Sequence, residues 1–194
     1  MARQRKFSEE DVLDRAMDVF WRLGYDGASI AELTKAMGLT SPSIYAAFGN
    51  KRGLFDAVLR RYRDRRAAFK NWALSGQTAR DVAERVLLGA AEWLVDPNEP
   101  PGCLSIQAGV STGVENLDIP RQLAVIRGHL ETAMRERFER AKVAGDLDVD
   151  ADPALLARYI QTVFLGMSLQ AVGGSSREDL ADVARCALRA WPAT

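Results

Sequence analysis

Ser29-Ile30-Ala31-Glu32-Leu33-Thr34-Lys35-Ala36-Met37-Gly38-Leu39-Thr40-Ser41-Pro42-Ser43-Ile44-Tyr45-Ala46-Ala47-Phe48 is the stretch whose reading decides the fold. Ser29 is a good N-cap for a short helix with inner face Ile30, Leu33, Ala36 and Met37, spaced for one side of a 3.6-residue turn. Gly38 supplies a left-handed stop. A second short helix begins at Ser41 with Pro42 just inside, where the missing N–H costs nothing, and runs through Ile44 and Tyr45 to Phe48 before Gly49-Asn50 closes it. Two short helices joined by the glycine-containing turn Met37-Gly38-Leu39-Thr40 form a helix-turn-helix.

Helical periodicity extends outward from this pair in both directions. A first helix opens at Phe7-Ser8-Glu9-Glu10-Asp11, carries the apolar stripe Val12, Leu13, Ala16, Met17, Phe20 and Leu23, and ends at Gly24, with Tyr25-Asp26-Gly27-Ala28 as a loop. A long fourth helix runs from Lys51 to about Leu74, with the run Arg60-Arg61-Tyr62-Arg63-Asp64-Arg65-Arg66 mostly outward. Thr78 to Val95 makes a fifth, and Asp96 to Gly102 is a loop. Cys103 to about Val114 reads as a sixth, Pro120 to Ala144 as a seventh, Asp152-Pro153 to Val172 as an eighth and Ser176 to Trp191 as a ninth. Period-2 strand signals are almost absent. The expected architecture is all-α, about nine helices, divided into a helix-turn-helix domain over residues 1–54 and a larger helical domain over 55–194.

Of 194 residues, 47% are apolar and 27% charged, which is globular composition. The net charge of zero hides an asymmetry: residues 1–70 carry 14 Lys/Arg against 9 Asp/Glu. A polyanion would meet the first third of the chain. The best membrane-span candidate is interrupted by Gly166, Ser168 and Gln170, and polar residues follow the basic N-terminus where a signal peptide has its apolar region, so the expectation is a cytoplasmic protein without a membrane span. Two distant cysteines and a single histidine suggest no disulfide framework and no metal site, and no cofactor motif is present.

A helix-turn-helix lays one helix across a nucleic-acid backbone and presents the start of the next to the major groove. Thr40, Ser41, Ser43 and Tyr45 then face outward with hydroxyls suited to phosphates and base edges. Generic helical hairpins also use a glycine turn. Gly24-Tyr25-Asp26-Gly27-Ala28-Ser29-Ile30-Ala31-Glu32-Leu33, followed by Met37-Gly38-Leu39-Thr40-Ser41-Pro42-Ser43-Ile44-Tyr45-Ala46-Ala47-Phe48-Gly49-Asn50-Lys51 and Leu54-Phe55, resembles the N-terminal signature of the TetR family of transcriptional regulators. The resemblance covers about residues 8–60. It implies a repressor that binds a double-stranded DNA operator, with Ser29, Tyr45 and Lys51 at positions that contact phosphate and Thr40, Ser41 and Ser43 at the start of the recognition helix. Ala46 and Ala47 depart from the commoner pattern, which has larger polar residues there. Readout then falls on thymine methyls, on Ser41, or on Arg3, Arg5 and Lys6 in the minor groove.

The resemblance also implies a small-molecule effector bound among the fifth to eighth helices, with Trp93, Cys103, Ile106, Gln107, Val110, Ile126, Leu130, Met134 and Phe164 as candidate lining. Each of these taken singly reads first as core. Cys103 follows Pro101-Gly102 at a helix start, where free amides favour a thiolate, so an alternative is a redox- or electrophile-sensing repressor; the plain alternative is packing. Leu180, Val183, Ala184, Ala187, Leu188 and Trp191 form a wide stripe in the ninth helix, and the eighth is apolar almost all round, with Tyr159, Val163 and Met167. That surplus points to a homodimer and hence a pseudo-palindromic operator. Two rivals stand beside this reading: an enzyme built on Cys103 and His129, and a helical adaptor that has lost DNA binding.

Overall fold

The computed structural model describes residues 8–110 and 112–192. Among the described residues the chain is all-helical: α1 Glu9–Gly27, α2 Ile30–Met37, α3 Ser41–Phe48, α4 Lys51–Leu74, α5 Ala79–Trp93, α6 Leu104–Val110, α7 Asp118–Val143, α8 Pro153–Val172 and α9 Arg177–Arg189, with one 3₁₀ turn at Val114–Asn116. Arg3, Arg5 and Lys6 lie outside the described residues. The chain packs as two compact units, one reaching to Arg66 and including Gln107–Pro120, the other holding Ala67–Ile106 and Arg121 onward. The first is larger than the 1–54 segment expected from the sequence, because the first part of α4 and residues 107–120 pack with it.

The first unit starts from a capping box. Asp11 N–H donates to Ser8 Oγ at 3.1 Å and Ser8 N–H to the Asp11 carboxylate at 3.2 Å, while Glu9, Glu10 and Asp11 lie at the positive end of the helix dipole. Val12, Leu13, Ala16, Met17, Phe20 and Trp21 are buried along α1. Leu23 is not: it is 45% exposed, and Trp21 takes the inward place instead, edge-on to Tyr62 at 5.2 Å. Helix does not end at Gly24 as expected. That residue kinks the chain at φ 72° and helical backbone resumes through Gly27, since the buried ring of Tyr25 docks on Phe20 and Phe55 (centroids 6.1 and 5.0 Å). Phe20 and Phe55 close the triangle at 4.9 Å, fastening α1 to α4. The basic run of α4 is only partly outward, because Arg61 forms a two-pronged bond with Asp14 (3.0 and 3.1 Å) and reaches Glu10, and Arg65 also meets Asp14.

In the second unit α5 buries Ala79, Val82, Ala83, Val86, Leu87, Ala90 and Ala91 and packs against both α8 and α9. Thr78 caps α5, Asp152 caps α8 and Ser176 forms a capping box with Asp179 at the start of α9. The α9 stripe faces this interior: Leu180, Ala184, Ala187, Leu188 and Trp191 are all buried, with Trp191 edge-on to Phe138 at 5.3 Å. Met167 of α8 is buried as well, and Tyr159 donates its hydroxyl to the Ala187 carbonyl at 3.1 Å. These six residues, expected at a dimer interface, are covered by the chain itself because small alanines let α5, α8 and α9 approach closely. Tyr159 and Val163 are half-buried and Val183 is exposed, so these three of the set remain open. Against expectation, α8 is long and apolar enough by length and composition to cross a membrane, yet Ala157, Ile160, Gln161, Phe164, Met167, Ser168 and Ala171 are packed inside the unit.

Gly38 holds φ 68° and ψ 28°, and its N–H closes α2 onto the Thr34 carbonyl at 3.0 Å. A side chain at that φ costs about 1–2 kcal/mol. Gly38→Ala is therefore expected to lower unfolding free energy by about that amount, read from a shifted urea midpoint at unchanged slope; an unchanged midpoint would remove the left-handed turn from the account.

Candidate nucleic-acid interface

The helix-turn-helix is built from local bonds. Ser29 and Glu32 form a capping box, with Glu32 N–H to Ser29 Oγ at 3.1 Å and Ser29 N–H to the Glu32 carboxylate at 3.0 Å. Those bonds hold the Glu32 carboxyl below its ordinary pKa. Leu33 and Met37 are fully buried, while Ile30 and Ala36 are half-buried, so the inner face of α2 is narrower than its sequence suggests. Thr40 caps α3, accepting from Ser43 N–H at 3.4 Å, and the two hydroxyls lie 2.9 Å apart. Ile44 is the one buried residue of α3. Ser29, Thr40, Ser43, Tyr45, Ala46 and Ala47 are exposed and Ser41 is half-buried. Six of these seven therefore present their side chains to solvent, Ser29 at the start of α2 and the other five around the start and outer face of α3.

Lys51 sits differently. Its ammonium lies 4.6 Å over the Tyr25 ring and 3.4 Å from the Asp26 carbonyl oxygen, and burial pulls its pKa down. In this conformation the charge expected on phosphate is seated against the C-terminal end of α1. Beside it, Arg52 pairs with Asp56 and with Asp118. The Asp26 carboxylate accepts from Gly113 N–H at 2.5 Å and from the Asn116 amide at 2.6 Å. Residues 113–118 are thereby bound to the end of α1 and the start of α4.

Two contributors escaped the sequence reading. Asn50 does more than close α3: its side-chain oxygen accepts from Gly53 N–H at 2.8 Å and so caps α4. Gly53 is required for space, since a Cβ there would lie 2.1 Å from the Phe48 carbonyl oxygen. The Asn-x-x-Gly spacing was a visible cap signal, but the close approach of two backbones was not.

The other expected site scatters. Trp93 and Phe164 do meet, with ring centroids 5.9 Å apart, and Met134 and Ile106 are buried. Ile126 and Leu130 are half-buried. Val110 is 64% exposed, and with Gln107 it belongs to the first unit rather than the second. Its place on the last turn of a seven-residue helix leaves it uncovered. Cys103 precedes α6 rather than opening it, and so short a helix supplies little dipole; the thiol is buried, 3.1 Å from Ser105 Oγ. His129 is exposed.

Residues 12–58 match the family model for bacterial regulatory proteins, tetR family. Over 192 residues the chain is 31% identical to the HTH-type transcriptional repressor ComR of Escherichia coli K12, covering 98% of this chain and 91% of that one. The chain belongs to the TetR family. It is 29% identical to the HTH-type transcriptional repressor BdcR of Escherichia coli K12, across 95% of this chain and 89% of the other. A cysteine mutant of the TetR family transcriptional regulator CifR, complexed with 26 bp double-strand operator DNA, is 39% identical with a TM-score of 0.92, covering 98% of this chain and 100% of that one. The chain is thus a TetR-family transcriptional regulator, and the α2–α3 pair lies within the matched segment.

Gly53→Ala tests the close approach. The forced shift between Phe48 and α4 is expected to cost about 1–3 kcal/mol, read by thermal melting, with Gly49→Ala as a comparison in which the added Cβ meets open space but φ is 78°. A Gly53→Ala protein that melts with the parent would remove this constraint on α3.

Proposed function

We propose that this chain is a transcriptional repressor that binds a pseudo-palindromic operator as a homodimer and is released by a small-molecule effector. The carrying observation is the exposed hydroxyl-bearing start of α3, fixed by Gly38, the Thr40–Ser43 cap and buried Ile44, in a chain similar to CifR, whose structure holds operator DNA. Residues 1–54 form the reading portion and 55–194 the effector-responsive and dimerising portion. Thr40, Ser41 and Ser43 address base edges, and Ser29, Tyr45 and Lys51 address phosphates. Lys51 leaves its seat on Tyr25 to do so, a move assisted by a phosphate at the start of α4. A DNA-binding regulator of this kind acts in the cytoplasm.

Dimerisation is supported by apolar side chains that the chain leaves uncovered on α8 and α9: Leu155 at 62% exposure, Leu169 at 52%, Val172 at 47% and Val183 at 45%. Exposed apolar groups on two adjacent helices, continued by half-buried Tyr159 and Val163, suit a second copy related by a two-fold axis.

Two experiments test the reading. Purified protein is expected to retard DNA from its own upstream region, with affinity falling about 10³-fold or more between 50 and 200 mM salt if six or more phosphates are neutralised. Lys51→Ala is expected to weaken every sequence about equally, whereas Ser41→Ala alters sequence preference; salt-independent binding, or none to any genomic fragment, would sink the proposal. Separately, Leu169→Asp with Val183→Asp is expected to convert a dimer to a monomer by analytical ultracentrifugation while leaving helicity intact. A dimer unaffected by both changes places the interface elsewhere.

A further inference from the structure

Cys103, Ser105 and Arg127 meet in the interior of the second unit. Cys103 is 4% exposed and Ser105 5%, their side-chain Sγ and Oγ atoms are 3.1 Å apart, and the half-buried Arg127 guanidinium donates to the Ser105 carbonyl. A guanidinium drawn out of water is ordinarily met by a carboxylate or phosphate, whose two oxygens match its fork. Three other half-buried arginines follow that rule, Arg52 with Asp56 and Asp118, Arg61 with Asp14 and Glu10, and Arg85 with Asp81, and Arg137, which donates to the Gly76 and Gln77 carbonyls, has the Asp81 carboxylate near enough to feel its charge. Arg127 has a carbonyl and the nearby Cys103, with no carboxylate among the described residues. Burial pulls its pKa down, opposed only by Cys103, yet a guanidinium keeps its charge at neutral pH.

The same unit contains a second sign of an incomplete interior. Gln161 Oε1 and Ser168 Oγ are buried without a hydrogen-bond partner, in residues 4% and 0% exposed. They lie three residues before and four after Phe164, hence on its side of α8, and Phe164 packs on Trp93. A core filled only by its own side chains has no use for an orphan carbonyl and an orphan hydroxyl, whereas a core that admits a polar guest does.

We propose that Arg127 is the anion-recognising residue of the effector site and that the effector is a small organic carboxylate, seated on the guanidinium beside Cys103. This rests on the reading of the second unit as effector-responsive. Bound there, the anion supplies the counter-charge that the chain withholds.

The two cysteines allow a direct test in the full-length protein, because Cys186 is exposed and serves as reference for buried Cys103. Iodoacetate and iodoacetamide alkylate by the same step: thiolate sulfur attacks the methylene carbon, the C–S bond forms as C–I breaks, iodide leaves and the thiol proton goes to buffer. Only iodoacetate carries a carboxylate. Peptide mass spectrometry is expected to show saturable modification of Cys103 by iodoacetate, with an iodoacetate-to-iodoacetamide rate ratio about tenfold or more above that at Cys186, equivalent to about 1.4 kcal/mol of anion preference. Benzoate is expected to protect Cys103 and not Cys186. Arg127→Gln should bring the two ratios together and Arg127→Lys should retain part of the difference, with melting curves checking that both variants fold. Equal ratios at the two cysteines, no reaction at Cys103 with either reagent, or an unaltered ratio in Arg127→Gln would overturn the proposal. Gel shifts on the unmodified protein keep the outcomes separate: absent operator binding defeats the repressor reading, whereas intact binding with equal ratios defeats the anion site alone.

Discussion

Eight residues of helix with one buried side chain do not stay folded in water on their own account; isolated helices need about 12–15 residues even when their propensity is high. Helix α3 is such a piece, with Ile44 as its buried residue. Its position is therefore imposed at its two ends. At the front, Gly38 turns the chain with φ 68° and Thr40 caps the first turn. At the back, Asn50 starts α4 at once and the absence of a Cβ on Gly53 lets α4 come against the Phe48 carbonyl. Helix α4 is in turn fastened to α1 through Phe55, Phe20 and Tyr25 and through the Arg61–Asp14 pair. An outward face of hydroxyls and alanines is thus held by the Thr40–Ser43 cap at its start and by contacts of residues that do not face outward.

The same fastening changes the meaning of the charge asymmetry. A net positive first third attracts a polyanion from a distance, but several of its cations are engaged. Arg61 and Arg65 meet Asp14, Arg52 meets Asp56 and Asp118, and Lys51 rests on Tyr25 and the Asp26 carbonyl. Arg22, Lys35, Arg60 and Arg63 are exposed. Net charge sets how strongly DNA is drawn in; the exposed subset sets which face it meets.

Local signals were legible in the sequence and close approaches were not. Ser8, Ser29, Thr78, Asp152 and Ser176 all act as caps, because capping is decided within four residues. The α2–α3 turn was legible for the same reason. What failed was direction at longer range. Leu23 lost its inward place to Trp21, and most of the α9 stripe is buried within its own chain, where α9 packs with α5 and α8, since periodicity identifies an apolar face without saying what covers it. The lining residues suffered most, as Gln107 and Val110 fall in the other unit. Arg127 carried no signal at all: an arginine in a helix is unremarkable until its missing carboxylate is seen.

Within the first unit, Asp26 sets the terms on which residues 113–118 can move. Its carboxylate is occupied by Gly113 N–H and the Asn116 amide, and its own carbonyl holds Lys51. A displacement of this segment that preserves the two bonds must carry the end of α1 with it, and with that end goes the acceptor on which Lys51 rests. A displacement that breaks them strips a carboxylate of two donors and exposes it to solvent, at a cost of order 1–3 kcal/mol before rehydration. The Arg52–Asp118 pair adds a second attachment of the segment, at the start of α4. Movement of the segment with these bonds intact therefore reaches Lys51, the residue that opens α4.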